Sequence, residues 1–136
     1  MNGETRNAAC VVVFNREGKI LAASVRGEYD VFGLPGGKLE DGETPIDAAI
    51  RELQEETGLV TQRGQLIQLY EGVDDGGYHV TTFRYVHTVE SEAASQMERD
   101  INVQWVTPTE LVNGRCGDYN NKVIMALLSR CYVINH

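Results

Sequence analysis

Positive charge is scarce in this chain. Twelve lysines and arginines face twenty aspartates and glutamates, a net charge of −8 over 136 residues. Such a field repels phosphate backbones and anionic lipid, which argues against polymeric nucleic acid and against a membrane as partners. Cysteine is nearly missing too. Cys10, Cys116 and Cys131 are odd in number and lack C-x-x-C spacing, so a disulfide framework or zinc site is not expected, and reduced thiols point to a cytoplasmic chain. Only three prolines occur, and no Pro/Ser-rich linker, repeat or low-complexity tract breaks the sequence, so residues 1–136 read as a single domain. Long hydrophobic runs are also lacking. The stretch Ala8 to Phe14 is far short of the roughly 18 residues of a membrane span, and Asn15-Arg16-Glu17 follows too soon for a secretory core.

What remains is ordinary globular usage, 42% hydrophobic and 24% charged. Ala8 to Phe14 is β-branched and suits a strand buried on both faces, and after the turn cluster Asn15 to Gly18 the segment Lys19 to Val25 reads as its returning partner. Gln65 to Gly72 and Tyr78 to Val89 flank Asp74-Asp75-Gly76-Gly77, a hairpin signal. Ile101 to Val106 is a further short strand; Thr107-Pro108-Thr109-Glu110 then carries a capping box that opens a brief helix. Ile124, Leu127, Leu128 and Cys131 form the apolar stripe expected of a last helix.

The sharpest element runs from Thr44 to Gly58. Thr44 is a good N-cap, Pro45 suits the first helical position, and Gly58 supplies a left-handed terminus. Ile46, Ala49, Ile50 and Leu53 share one face, while Glu52, Glu55 and Glu56 fall on another arc. Two such charges 6 Å apart repel by about 3 kcal/mol at an effective dielectric near 20, and by less than 1 in open water. An exposed acidic face is therefore cheap, whereas one lining a cleft must protonate or hold cations. Seven of the twenty acids lie within residues 37–59, a density of oxygen ligands that suits Mg²⁺ or Mn²⁺.

Immediately before that helix stands Leu34-Pro35-Gly36-Gly37-Lys38-Leu39-Glu40-Asp41-Gly42-Glu43. Gly37, five residues, Glu43, seven residues and Arg51-Glu52-Leu53-Gln54-Glu55-Glu56-Thr57-Gly58-Leu59 resembles the Nudix box at every specified position. Average residue frequencies would produce that match in a chain this long on the order of once in 10⁷–10⁸.

The resemblance implies an α/β fold, an α/β/α sandwich around a mixed sheet, and a Mg²⁺- or Mn²⁺-dependent hydrolase of nucleoside diphosphates linked to a further group. It implies Glu52, Glu55, Glu56 and the Gly36 carbonyl as metal ligands, with Arg51 and Glu43 in support. Glu52 is the first choice for the base, and Glu98 or Asp100 the second. A MutT-like (deoxy)nucleoside triphosphate, an oxidised one such as 8-oxo-dGTP included, is the first substrate expectation, cleaved to monophosphate and pyrophosphate. A dinucleoside polyphosphate, ADP-ribose or a nucleotide sugar is the alternative, and a non-catalytic nucleotide sensor another. Candidate substrate contacts are Arg26, Gly37, Lys38, Tyr78 and Asn120. Asn120 is open to two readings, pairing with a base edge or capping the last helix with Asp118. Tyr29 stands beside Arg26 as a phosphate or base contact or as solvated loop. Phe83, Tyr85 and Trp105 read mainly as core, and His79 and His87 are given no chemistry. The expected assembly is a monomer or homodimer.

Overall fold

The computed structural model describes residues 6–25, 28–97 and 100–134, with side chains at 25, 28–31 and 130–134 left aside. In chain order the elements are β1 (Asn7–Asn15), β2 (Ile20–Val25), β3 (Glu28–Gly33), β4 (Gly36–Lys38), α1 (Pro45–Thr57), β5 (Leu66–Val73), β6 (His79–Val89), β7 (Val103–Val106), α2 (Pro108–Val112) and α3 (Gly117–Ile134). The strands form one sheet of order β3-β2-β1-β6-β5, to which β4 adds against β1 and β7 against β2. Only β1 and β6 run parallel, with Ala8 opposite Val80 and Val12 opposite Arg84; the other pairs are antiparallel. The sheet is therefore mixed, as the resemblance implied.

Alternation along β1 builds two cores. Ala9, Val11 and Val13 face α1 with Ala48, Ala49, Leu53 and Phe83, while Val12 and the partly buried Cys10 and Phe14 belong with Tyr119, Val123 and Leu127 of α3. Val11, Val12 and Val13 are all fully buried, which a strand covered on both faces requires. Helices thus lie on both sides of the sheet, in an α/β/α sandwich.

Several local signals hold to the residue. Thr44 caps α1 through Asp47, and Gly58 closes it at φ 81° with its N–H on the Gln54 carbonyl. Thr107 and Glu110 make the reciprocal capping box of α2. Asp74 Oδ1 accepts from the N–H groups of Gly76 and Tyr78 and sets the β5–β6 turn. Other readings are extended or corrected. Strands β3 and β4, on either side of Leu34 and Pro35, were not among the elements read from sequence, because they form by pairing with β2 and β1, neighbours that local sequence does not reveal. Strand β7 begins two residues later than Ile101, although Asn102 still exchanges hydrogen bonds with Ser24. On α1, Ala48 joins Ala49 and Leu53 at the centre of the buried face, and Ile46 and Ile50 flank it.

The α3 stripe is rotated as well. Tyr119, Val123 and Leu127 face the sheet, Ile124 is half-buried and Leu128 is 60% exposed. Tyr119 sets that rotation, since its hydroxyl donates to the Val80 carbonyl and meets the Thr82 hydroxyl at 2.7 Å; the Cys131 side chain lies outside the described residues. The start of α3 is capped from elsewhere. Asp75, at the β5–β6 turn, accepts from the N–H groups of Asp118 and Tyr119 at 3.2 and 3.0 Å. Neither Asp118 nor Asn120 serves as the cap.

Two stability outcomes follow from these contacts. Asp75→Ala should cost about 1 kcal/mol in chemical denaturation, the usual loss of an N-cap. A Cβ on Gly36 would stand 2.2 Å from the Ala9 carbonyl oxygen and 2.6 Å from the Cys10 Cβ. Gly36→Ala must therefore push β4 off β1, an overpacking expected to cost about 3 kcal/mol by the same measurement.

Candidate active site

Strand β4, the start of β1 and the inner face of α1 form one wall of a cleft of about 630 Å³, and the start of α3 supplies another. Gly36, Gly37, Lys38, Glu52, Glu55, Glu56, Tyr78 and Asn120 all line it. The structure thus brings together eight of the residues singled out from sequence. Arg26 and Glu98 lie outside the described residues, as does the side chain of Tyr29; Asp100 is exposed and is not among the lining residues.

The acids are not equivalent. Glu56 is 8% exposed, and its Oε1 accepts the Gly36 N–H at 3.2 Å. Glu52 is largely enclosed, whereas Glu55 is half-exposed. The Glu52 carboxylate occupies the space a side chain at Gly37 would fill, since a Cβ there would stand 1.5 Å from its Oε2. The two glycines therefore play different parts. Gly36 admits the backbone of β1, and Gly37 admits a carboxylate.

Arg51 ties the group together. Its guanidinium grips Glu43 twice, Nε to Oε2 at 2.7 Å and a terminal nitrogen to Oε1 at 2.9 Å, and reaches Glu55 at 3.1 Å and the Lys38 carbonyl at 3.1 Å. Glu52 and Glu40 are ion-pair neighbours at 3.4 and 3.7 Å. The hydrogen bonds from Arg51 hold the Glu43 carboxyl below the ordinary carboxylate range, and the same contacts raise the Arg51 guanidinium above its own. A doubly bonded guanidinium–carboxylate pair fixes geometry as well as charge. Glu43 in turn accepts the Glu40 N–H and closes the loop into α1.

Cations and neutral donors accompany the acids. The Lys38 ammonium and the Arg6 guanidinium lie 5.6 and 4.8 Å from the centre of the Tyr78 ring, and hydrogen bonding from Lys38 pulls the Tyr78 phenol below its usual pKa. Asn120, nearly fully buried, donates through Nδ2 to the Arg115 carbonyl at 2.8 Å. A carbonyl only accepts, so the amide end must face Arg115 and the Oδ1 is left for another donor. Phe83 is core as expected, Tyr85 is half-buried, and Trp105 is half-buried with its indole N–H on the Ser91 carbonyl.

Further cleft residues escape sequence reasoning. Cys10, Asp74, Arg115, Cys116 and Tyr119 also line it, placed there by the β1–β6 pairing and by the α3 cap on Asp75. Cys116 is left-handed at φ 56°, unusual for a side-chain-bearing residue. The only sequence signal for it was position, just before a helix start.

Comparison with known proteins agrees with this architecture. A family model described as the NUDIX domain matches residues 4–127. A human diphosphoinositol polyphosphate phosphohydrolase is 32% identical over 102 residues, covering 74% of this chain and 55% of that protein. An RNA pyrophosphohydrolase of Psychrobacter sp. is 40% identical over 57 residues, 42% of this chain and 32% of that protein. The chain thus spans about half or less of the length of these curated relatives. Among solved structures, a MutT described for Aliivibrio salmonicida and Vibrio cholerae superposes with a TM-score of 0.68 at 20% identity, over 93% of this chain and 99% of that one. With a family model covering most of its length, and the box residues meeting in one cleft, the chain belongs to the Nudix hydrolase family.

Proposed function

We propose that this protein hydrolyses the diphosphate linkage of a nucleoside-diphosphate derivative with the help of Mg²⁺ or Mn²⁺. The first substrate is a (deoxy)nucleoside triphosphate, an oxidised one such as 8-oxo-dGTP included, released as monophosphate and pyrophosphate. The observation that carries this reading is the burial of Glu56 against the Gly36 amide, beside Glu52 on Gly37, in a cleft with room for a nucleotide.

The donor set suits a hard divalent cation, being made of oxygens alone. Among the described residues no three acids are drawn into a ready cage, as like charges behave with no cation between them. Glu52, Glu55, Glu56 and the Gly36 carbonyl would hold it. A strand residue directs its N–H and C=O to the same edge, so the Gly36 amide on Glu56 favours a carbonyl on that side too. When bound, such a cation neutralises diphosphate charge and lowers the pKa of a water.

The remaining work falls to the chain itself. Glu52, enclosed beside Gly37, is our first choice to take the proton of the attacking water. Glu98 or Asp100 is the second. Arg51 orients Glu55 and offsets repulsion among the acids, so that their positions are set before substrate arrives. Lys38, held at the rim with Tyr78, meets phosphate charge. Arg26 remains a candidate for the same task. The free Oδ1 of Asn120 accepts from a base edge, the half of its carboxamide not committed to Arg115.

A second reading has its own support. One curated relative, matched over 102 residues, is a diphosphoinositol polyphosphate phosphohydrolase, and two cations flank Tyr78, an arrangement suited to a more highly charged substrate. A product-resolved panel of canonical and oxidised triphosphates, dinucleoside polyphosphates, sugar nucleotides, ADP-ribose, diphosphoinositol phosphates and 5′-triphosphorylated RNA separates the readings. Inertness towards all of them with Mg²⁺ and Mn²⁺ would leave the sensor reading in place.

Two substitutions test the site. Glu56→Gln should lower hydrolysis at least ~100-fold, while the melting temperature without metal stays level or rises as repulsion is relieved. Gly37→Ala drives only the flexible end of Glu52 aside, so it should fold normally yet lose roughly 10- to 100-fold in kcat. Unchanged activity in both variants would remove the assignment of the acids.

A further inference from the structure

A second cavity, of about 400 Å³, lies at the opposite end of β1 under α3 and shares no lining residue with the cleft. Phe14, Ile20, Pro108, Ile124, Leu127 and Leu128 give it apolar walls. Two arginines reach it, Arg16 and Arg84. They differ in one respect that decides the argument. Arg16 is ion-paired with Glu90. Arg84 is half-buried and has a buried Nε–H with no acceptor among the described residues, and the Phe14 ring centre lies 5.8 Å from its guanidinium carbon. A buried donor left without an acceptor is a costly arrangement unless something else supplies one.

We propose that this cavity binds a small monocarboxylate with an apolar body, its carboxylate on Arg84 and its body against Phe14, Ile124 and Leu127. The volume lies within the range of small-ligand pockets, and apolar walls around one fixed polar group are their usual build. A guanidinium fork matches a carboxylate bidentately. The charge count sets the valence. With Arg16 committed to Glu90, one guanidinium neutralises one negative charge, and a phosphate dianion would keep an unpaired charge among hydrocarbon. The site is independent of the hydrolytic reading, since no residue of the acid cluster takes part.

Chemical-shift mapping on the full chain tests this with hexanoate and benzoate, against hexanol and benzamide as neutral counterparts and inorganic phosphate as the dianion. Both acids should shift the amides of Phe14, Thr88 and Ile124 at about 10 mM or below, with the neutral counterparts and phosphate at least ~10-fold weaker. Arg84→Met should lose the response to the acids at least ~10-fold while keeping or raising the melting temperature, because a buried donor without acceptor disappears. Leu128→Trp, at an exposed position on the rim, keeps the charge, narrows the mouth and should weaken both acids in a chain whose folding is not in question. No shift at about 10 mM, equal shifts from an acid and its neutral counterpart, shifts that survive Arg84→Met, or tighter binding of phosphate at Arg84 would each overturn the assignment.

Discussion

One guanidinium makes the acidic wall of the cleft possible. Glu43, Glu52 and Glu55 all lie within ion-pair distance of Arg51, at 2.7, 3.4 and 3.1 Å. Without that cation, carboxylates one helical turn apart would splay outwards or take up protons. The constraint reaches back through the chain. Arg51 also donates to the Lys38 carbonyl at the end of β4, and Glu43 accepts the Glu40 N–H. The loop, the short strand and the helix are thus fastened to one side chain. Spacing in the sequence follows from that fastening: Glu43 must lie one loop before the helix and Arg51 two turns into it for the fork to close.

The glycines complete the constraint from the other side. Strand β4 lies on β1 only because nothing projects from Gly36 towards Ala9 and Cys10, and Glu52 lies over Gly37 only because nothing projects there either. A carboxylate pressed onto bare backbone is dry on that side. It is therefore a stronger electrostatic partner than the same group on an open helix face. This distinguishes Glu52 and Glu56 from Glu55, which stays half-exposed and is steered by Arg51.

How much of this was legible follows the reach of each interaction. Thr44, Gly58 and the Thr107–Glu110 box act within a turn of themselves, and the structure holds them where sequence spacing places them. The box residues from Gly37 to Glu56 were legible for the same reason, being one loop and one helix. Interactions that span the sheet were not. Asp75 caps α3 from 43 residues away, Tyr119 rotates α3 through a bond to the Val80 carbonyl, and β3 and β4 exist by virtue of their partners. Leu128 looked like core because a helical stripe tells which residues align, not which of two adjacent stripes the sheet will choose. Arg84 carried no signal at all; alternation within β6 does not say that its Nε–H will be buried with no acceptor among the described residues.

Beneath the cleft a chain of hydroxyls settles where charge can reside. The Val80 carbonyl can only accept, so the Tyr119 hydroxyl spends its proton there. Thr82 must then donate to the Tyr119 oxygen, and the Cys10 thiol, 3.1 Å from the Thr82 oxygen, must donate in turn. Burial reinforces this order by pushing the Cys10 thiol up to about 12 and raising the Tyr119 phenol above its usual range. The floor therefore stays neutral across the physiological range, and Cys10 is not a nucleophile. Charge on the cleft lies around this floor, on Glu52, Glu55 and Glu56 of α1 and Asp74 of the β5–β6 turn, and on Lys38 and Arg115. A neutral floor ringed by fixed charges of both signs offers an anionic chain and its counter-cation separate places on one surface, and that pattern, rather than any single acid, orients what enters.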